Sequence, residues 1–407
     1  VAERFTNWAG NQTCTPARRS SPASEAAVQH AVRAAVAARE GVRVVATGHS
    51  FTPVHLTDGT LIDLQRLQGI LAIDAARRRV RALPGTTVGA FGGPLWDAGL
   101  ALANQGDIDT QGIAGAIGTG THGSGIRLGS FSATLRGCRL VTGTGDVVVV
   151  DETRPDLLAA AQVAVGMLGV MTEVDVEAVP AYRLRERIEH WTFDEALSRL
   201  DEAAARHRHF SLFWCPVERS AGLYGLELEP GRPAADACYV KIYDEAGPDE
   251  PDDATPRRRV DRAHRIYPAI FEPNFHELEY FVPFARAAEA LQAMRELMLA
   301  SQPEAVFPLE VRTVAADAAY LSPQHARDTL VLSVSGEPGT DYWGYLRAVD
   351  RLLGEEFGAR VHWGKLHFLT PAQLHERYPM AQAFIDLRRE LDPSGVFLND
   401  HLRPLFA

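Results

Sequence analysis

The stretch "QGIAGAIGTGTHGSGI", residues 111–126, decides how the fold of this chain is read. Gly118, Gly120 and Gly123 spell G-x-G-x-x-G, the pattern of a dinucleotide-binding turn. That turn needs a strand before it, a helix after it and an acid about 20 residues on. The flanks argue against all three. "NQGDIDTQGIAG" ahead is turn-like and broken by glycine. "SGIRLGSFSATL" behind carries two more glycines, a poor first turn for a helix, and the first acids downstream are Asp146 and Asp151. A glycine-lined wall, where a ligand touches the backbone itself, fits better.

Working outward, 407 residues exceed one ordinary core, so two domains are expected. A net charge of −11 argues against a nucleic-acid surface and an anionic membrane surface as partners. Cys14, Cys138, Cys215 and Cys238 are widely spaced with no C-x-x-C, which predicts free thiols, with neither a zinc site nor a disulfide framework. The N-terminal stretch has no apolar leader region and no apolar run is long enough to span a membrane, so a cytoplasmic location is expected.

Residues 22–40 predict an amphipathic helix with Ser24 as N-cap, followed by a short buried strand in "GVRVVATG". "LVTGTGDVVVV" predicts a hairpin around Thr-Gly-Asp. "RPDLLAAAQVAVGMLGVMTEVDVEAVP" predicts a helix, a glycine break and an alternating strand. Beyond residue 180 the texture changes to strands such as "FSLFWCPV" and "DTLVLSVS" separated by helices such as 283–300. Residues 246–258, rich in Pro and charge, predict a solvated loop.

Three short segments carry candidate chemistry. In "ATGHSFT", residues 46–52, a glycine beside small hydroxyl residues lets backbone N–H groups approach a pyrophosphate, with His49 at the cofactor's edge or as an ordinary loop histidine. In "EVR", Glu310 and Arg312 share one face of a strand, as a functional pair or a plain salt bridge. Lys365 of "HWGK" is a placed cation or a surface lysine. "HRH" at 207–209 lacks a third ligand, so no metal is expected.

Taken together, "RVVATGHSFT", "GTGTHGSG", "MLGVMTEV", "EVRTVAADAAYLSP", "HWGK" and "LDPSGVFLND" resemble the vanillyl-alcohol-oxidase-type flavoproteins. Within them the chain is similar to the sugar-acting branch of L-gulono-1,4-lactone oxidases and dehydrogenases, D-arabinono-lactone oxidase and alditol oxidases. The resemblance runs nearly end to end, with the segments in the family's order. It implies an α+β fold with an FAD-binding domain at 1–180, an antiparallel-sheet substrate domain at 181–380, and a C-terminal segment, 381–407, returning to the first.

Carried over by position, the resemblance assigns Ala46, Thr47, Gly48, Ser50 and Phe51 to the pyrophosphate loop. It assigns His49 to the histidine that many members link covalently to FAD. Gly115, Thr119, Gly120, Thr121, His122, Gly123 and Ser124 match the second flavin-contacting loop, and Gly169 and Val170 the adenine side. Glu310, Arg312 and Lys365 match the catalytic set. Ser333 and Ser335 stand in the strand where alditol-acting members carry a histidine, and Gly112 replaces a family serine. The implied activity is oxidation of a CH–OH group in a sugar-derived lactone or polyol, by hydride transfer to flavin N5. Molecular oxygen, or another electron acceptor in a dehydrogenase, would reoxidise the flavin. A flavin-bound protein with altered activity is the third reading, because the histidine is lost.

Overall fold

The computed structural model describes residues 3–269, 272 and 274–407. Chain order gives helix α1 (Glu25–Ala38), where Ser24 caps the Ala27 N–H and Val28, Val32 and Ala35 form the buried stripe. Strands β1 (Arg18–Ser20), β2 (Val42–Val45) and β3 (Thr60–Asp63) make a small parallel sheet ordered β1-β3-β2. A five-stranded antiparallel sheet follows. It uses β4 (Ile70–Asp74), β5 (Arg79–Ala82), β6 (Leu135–Val141), β7 (Val147–Asp151) and β8 (Val170–Glu177), in the order β7-β6-β8-β5-β4. The expected hairpin is β6–β7, with Val141 opposite Val147.

The opening glycine stretch differs from its sequence reading. Residues Ile113–Thr119 form a short helix, α2, so Gly115 and Gly118 are helical. Gly120 ends it in the left-handed region at φ 82°, the conformation that favours glycine at a helix C-terminus. No strand of the described residues runs directly into this helix, and β6 starts only at Leu135. Helix α3 (Pro155–Gln162) then leads through Gly166 and Gly169 into β8, as the pattern predicts.

The second half is built on an eight-stranded antiparallel sheet. Its strands are β9 (Arg183–Thr192), β10 (His209–Trp214), β11 (Ala237–Glu245), β12 (Val260–Arg262), β13 (His276–Pro283), β14 (Leu309–Val314), β15 (Thr329–Gly336) and β16 (Arg360–Val361). Their order is β12-β9-β11-β10-β14-β15-β13-β16. Alternation gives this sheet two unlike faces. Leu212, Val311, Leu332 and Tyr280 lie in one row across β10, β14, β15 and β13, all buried. Helices α4 (Phe193–Arg206) and α5 (Ala287–Ala300) join them in the same apolar core through Leu200, Leu291 and Met294. The next row, on the other face, reads Phe213, Glu310, Ser333 and Glu279. A row of polar groups inside a protein needs partners or a ligand.

The C-terminal stretch returns to the N-terminal sheets. Val42 donates to the Val396 carbonyl at 2.7 Å, and Asn399 Nδ2 donates to the Pro53 and Leu56 carbonyls. Arg43 ties three segments together, donating to the carbonyls of Val54, Phe397 and Val165 at 2.5, 2.5 and 2.7 Å. Residues 246–258 form an exposed loop, where Glu250 and Asp252 pair with Arg185 and Arg183. All four cysteines are free.

Candidate active site

One cavity gathers most of the residues singled out in the sequence. It encloses about 1730 Å³ of non-protein space, counting its open mouth. One part is walled by Ala46, Thr47, Gly48, His49, Ser50 and Phe51 from the loop after β2, and by Gly115, Thr119, Thr121 and His122. Gly169 and Val170 at the start of β8 extend this wall. Glu310, Arg312 and Lys365 line the part formed by the polar face of the large sheet.

Three of the loop residues do not line the cavity. Gly120 is the helix cap described above. Gly123 lies where a Cβ would run into the Gln105 carbonyl, so glycine is needed there for close packing of two backbones. The Ser124 hydroxyl is buried, donates to the Phe210 carbonyl and receives the Thr313 N–H, which joins this loop to β10 and β14. Ser333 and Ser335 share the polar face of the large sheet without lining the cavity themselves: Ser333 donates to Glu277, and Ser335 shares a 2.7 Å hydrogen bond with the Tyr224 hydroxyl. Glu277 and Tyr224 themselves face the cavity.

The glycine wall fits a dinucleotide. A Cβ built on Gly115 meets no atom within 4 Å, and one on Gly118 meets only the Val165 nitrogen at 3.9 Å. Both residues line the cavity, so the space a side chain would fill is ligand space. Gly48 adopts φ 68°, a conformation that favours glycine, in a loop whose residues 46–51 line the same space.

His49 is held from three sides. Its Nδ1 lies 2.9 Å from Thr47 Oγ1 and its Nε2 lies 3.3 Å from Thr110 Oγ1, while Trp8 stacks on the ring. Burial, with the Lys365 charge, pushes its pKa down to about 4, so the ring is neutral at neutral pH.

At the sheet end, Arg312 Nε donates to Glu310 Oε1 at 2.6 Å, and its Nη2 also meets Asp107. Asp107 in turn receives Lys241 Nζ at 2.9 Å. Burial, reinforced by the neighbouring Asp107 and Glu277 and opposed by Arg312, raises the Glu310 carboxyl to about 7. Glu310 and Asp107 hold Arg312 well above its usual range despite its burial. Lys365 Nζ is paired with Glu277. Lining the same cavity, His122, Glu279 and His362 bring their donor atoms within 4.8 Å of one another. His122 presents Nδ1 to the Gly123 carbonyl at 2.7 Å and Nε2 to Glu279 at 2.9 Å, both oxygen acceptors. The Gly364 N–H donates to His362 Nδ1, so neutral His362 carries its proton on Nε2.

Sequence reasoning missed Trp8, Arg43, Asp107, Tyr224, Glu277 and Glu279, all of which line the cavity. Glu277 and Glu279 were within its reach, because "ELE" in β13 repeats the i, i+2 spacing of "EVR" in β14. Asp107 carries no such signal, since its partners lie 134 and 205 residues away.

Comparison with known proteins agrees with this geometry. Residues 16–151 match the FAD binding domain family, and residues 235–405 match the D-arabinono-1,4-lactone oxidase family. The L-gulono-1,4-lactone dehydrogenase of Mycobacterium tuberculosis is 34% identical over 98% of both chains. The alditol oxidase of a Streptomyces species is 32% identical over 100% of this chain and 99% of its own. Among solved structures, a solvent-stable cholesterol oxidase superposes with a TM-score of 0.85 at 16% identity, covering 99% of this chain and 97% of that one. The 6-hydroxy-D-nicotine oxidase of Arthrobacter nicotinovorans gives 0.75 at 20%, covering 97% and 96%. These two likenesses concern the fold alone, that of the vanillyl-alcohol-oxidase-type flavoproteins. With the cavity, the glycine wall and end-to-end similarity in agreement, the chain belongs to the FAD-dependent lactone and alditol oxidoreductases, enzymes that act on CH–OH groups.

Proposed function

We propose that this protein oxidises a CH–OH carbon of a sugar-derived lactone or polyol, and that Glu310, Arg312 and Lys365 are the residues around the reacting carbon. The observation that carries the reading is that these three side chains, from two separate segments, line the same cavity as the glycine wall. In this reading residues 1–180 and 381–407 hold FAD, and 181–380 supply the substrate end.

FAD, when bound, supplies a two-electron acceptor. The protein's own groups do the rest. Arg312 and Lys365 hold negative charge at the substrate oxygen, where a shielded site makes each donor count for more than it would in water. Glu310 accepts a substrate hydroxyl. With its pKa near 7 it can take the hydroxyl proton on a carboxylate oxygen. Glu277 keeps Lys365 turned along the β13 edge of the site. His49, neutral and clamped, is the residue for a covalent bond to the flavin.

We infer molecular oxygen as the electron acceptor, with hydrogen peroxide as its product. The dehydrogenase reading is favoured by one observation, the 34% identity to a protein named as a dehydrogenase. Peroxide release against reduction of a dye acceptor, over a panel of aldonolactones and alditols, separates the two. A yellow protein that no member of the panel bleaches under anaerobic conditions would instead support a pocket that only binds.

A further inference from the structure

Arg312 faces two carboxylates, Glu310 on its own strand and Asp107 from the loop preceding α2. Asp107 is buried and Glu310 mostly so, with side chains 5% and 12% exposed. A guanidinium between two carboxylates is a divided ligand. Asp107 could take it side-on with both oxygens, the stronger geometry, and draw it away from Glu310. It does not, because its other oxygen is committed: Oδ1 receives Lys241 Nζ at 2.9 Å, leaving Oδ2 for Arg312.

Lys241 comes from β11, two strands from Arg312 in the sheet, and is not among the residues lining the cavity. Its side chain is mostly buried, 11% exposed, in a box of three rings. Its Nζ lies 5.8 Å from the centroids of Phe213 and Tyr243 and 6.0 Å from that of Tyr267. Burying an ammonium costs several kcal/mol unless it is paired, and here the aromatic faces and Asp107 hold it. Lys241, Asp107, Arg312 and Glu310 thus form one buried row of alternating charge, with two cations and two carboxyl groups.

We propose that Lys241 is a positioning residue of the active site: through Asp107 it keeps Arg312 on Glu310 and balances the charge around Glu310. This rests on the reading that Glu310 and Arg312 serve the substrate. The charged and titratable groups around Glu310 are Arg312 on β14, Asp107 on the loop before α2, Glu277 on β13, Lys241 on β11 and Tyr224 from the turn after 220–223. Two of the carboxylates oppose its ionisation, and the two cations favour it. Losing Lys241 therefore leaves Glu310 protonated to higher pH. The Lys241 charge also helps keep Asp107 below its ordinary range, together with Arg312 and against burial.

The test needs no turnover. Infrared titration of the FAD-loaded protein follows the Glu310 carboxyl stretch, identified by its loss in Glu310→Gln. In Lys241→Met the midpoint should rise by on the order of one pH unit, and Lys241→Arg should return it towards wild type. Should Lys241→Met not fold, Lys241→Gln removes the charge while keeping a donor to Asp107, and is read the same way. A midpoint in the folded variant that coincides with wild type would overturn the proposal. Anaerobic bleaching by D-sorbitol and L-gulono-1,4-lactone is the second readout: the maximal rate should fall more than KM rises, because the group displaced is Arg312. If the infrared shift occurs but neither compound bleaches wild type, the charge coupling of Lys241 to Glu310 stands, while the substrate reading, and with it the positioning role, fails.

Discussion

The indole of Trp8 lies on the imidazole of His49, with ring centroids 5.1 Å apart and planes 29° from parallel. Trp8 also packs edge-on against Phe51 and Phe275, so it joins the N-terminal segment to both loops at this point of the cavity. The ring that would bond the flavin is therefore oriented by a residue 41 positions earlier in the chain. Acid precipitation of wild type should leave the yellow colour with the protein. His49→Ala should hold FAD only reversibly. Trp8→Leu should fold yet carry several-fold less acid-stable flavin, as read by absorbance of the pellet and supernatant. Full covalent loading in Trp8→Leu would mean that Thr47 and Thr110 orient the ring unaided.

The charged end is tested by magnitude. An exposed ion pair contributes about 0–1 kcal/mol, so its loss would hardly be felt. Removing a donor that stabilises charge in a shielded site costs about 10²–10³ in rate. Arg312→Ala and Lys365→Met should retain FAD yet reduce it at least about a hundredfold more slowly by that measure, in stopped-flow bleaching without oxygen. Bleaching within a few-fold of wild type would make the pair structural.

The glycines divide into two kinds that behave oppositely on substitution. Gly115 lines the cavity and a Cβ built there meets no protein atom within 4 Å, so Gly115→Val should fold with a near-native melting temperature and lose FAD. A Cβ at Gly123 meets the Gln105 backbone and the Asn104 side chain, so Gly123→Ala should lower stability by about 1–3 kcal/mol or more, the range for overpacked sites. Urea unfolding alongside flavin content distinguishes the two. Loss of FAD without loss of stability in Gly123→Ala would reverse their roles.

Acid should unfold the protein over a narrow range. His55 and His401 are pushed down to about 4, and His209, His362 and His367 to about 3, in every case chiefly by burial. The Nε2 atoms of His55, His209, His367 and His401 have no hydrogen-bond partner, so a proton there would be a buried, unpaired charge. The unfolded chain binds these protons near pH 6.5 and the folded chain does not, so stability falls as pH drops from about 6.5 towards 4. Each group contributes a slope of about 1.4 kcal/mol per pH unit in that window. Urea midpoints between pH 7 and 5 should fall steeply, and His367→Gln should flatten the curve by close to one proton. An unchanged slope in that variant would count against the mechanism.

The local parts of this protein follow from its sequence, because each depends on neighbours a few residues away. The Ser24 cap and the stripe of α1, the β6–β7 hairpin around Thr-Gly-Asp, and the shared face of Glu310 and Arg312 with Val311 turned into the core all come from periodicity and turn chemistry. The order of its short motifs carried the family, and with it the use of FAD. Sequence reading failed first within the glycine stretch, where residues 113–119 are helical despite two glycines. Packing of Ile113, Ala116 and Ile117 into the core outweighs a propensity cost of about 1 kcal/mol for each glycine. It failed again wherever a charge needed a distant partner. Lys365 pairs with Glu277, 88 residues away, Arg312 with Asp107, 205 away, and Asp107 with Lys241, 134 away. No local pattern encodes such pairs. They exist because antiparallel alternation turns β11, β13 and β14 to one interior face, where an unpaired charge would be too costly to bury.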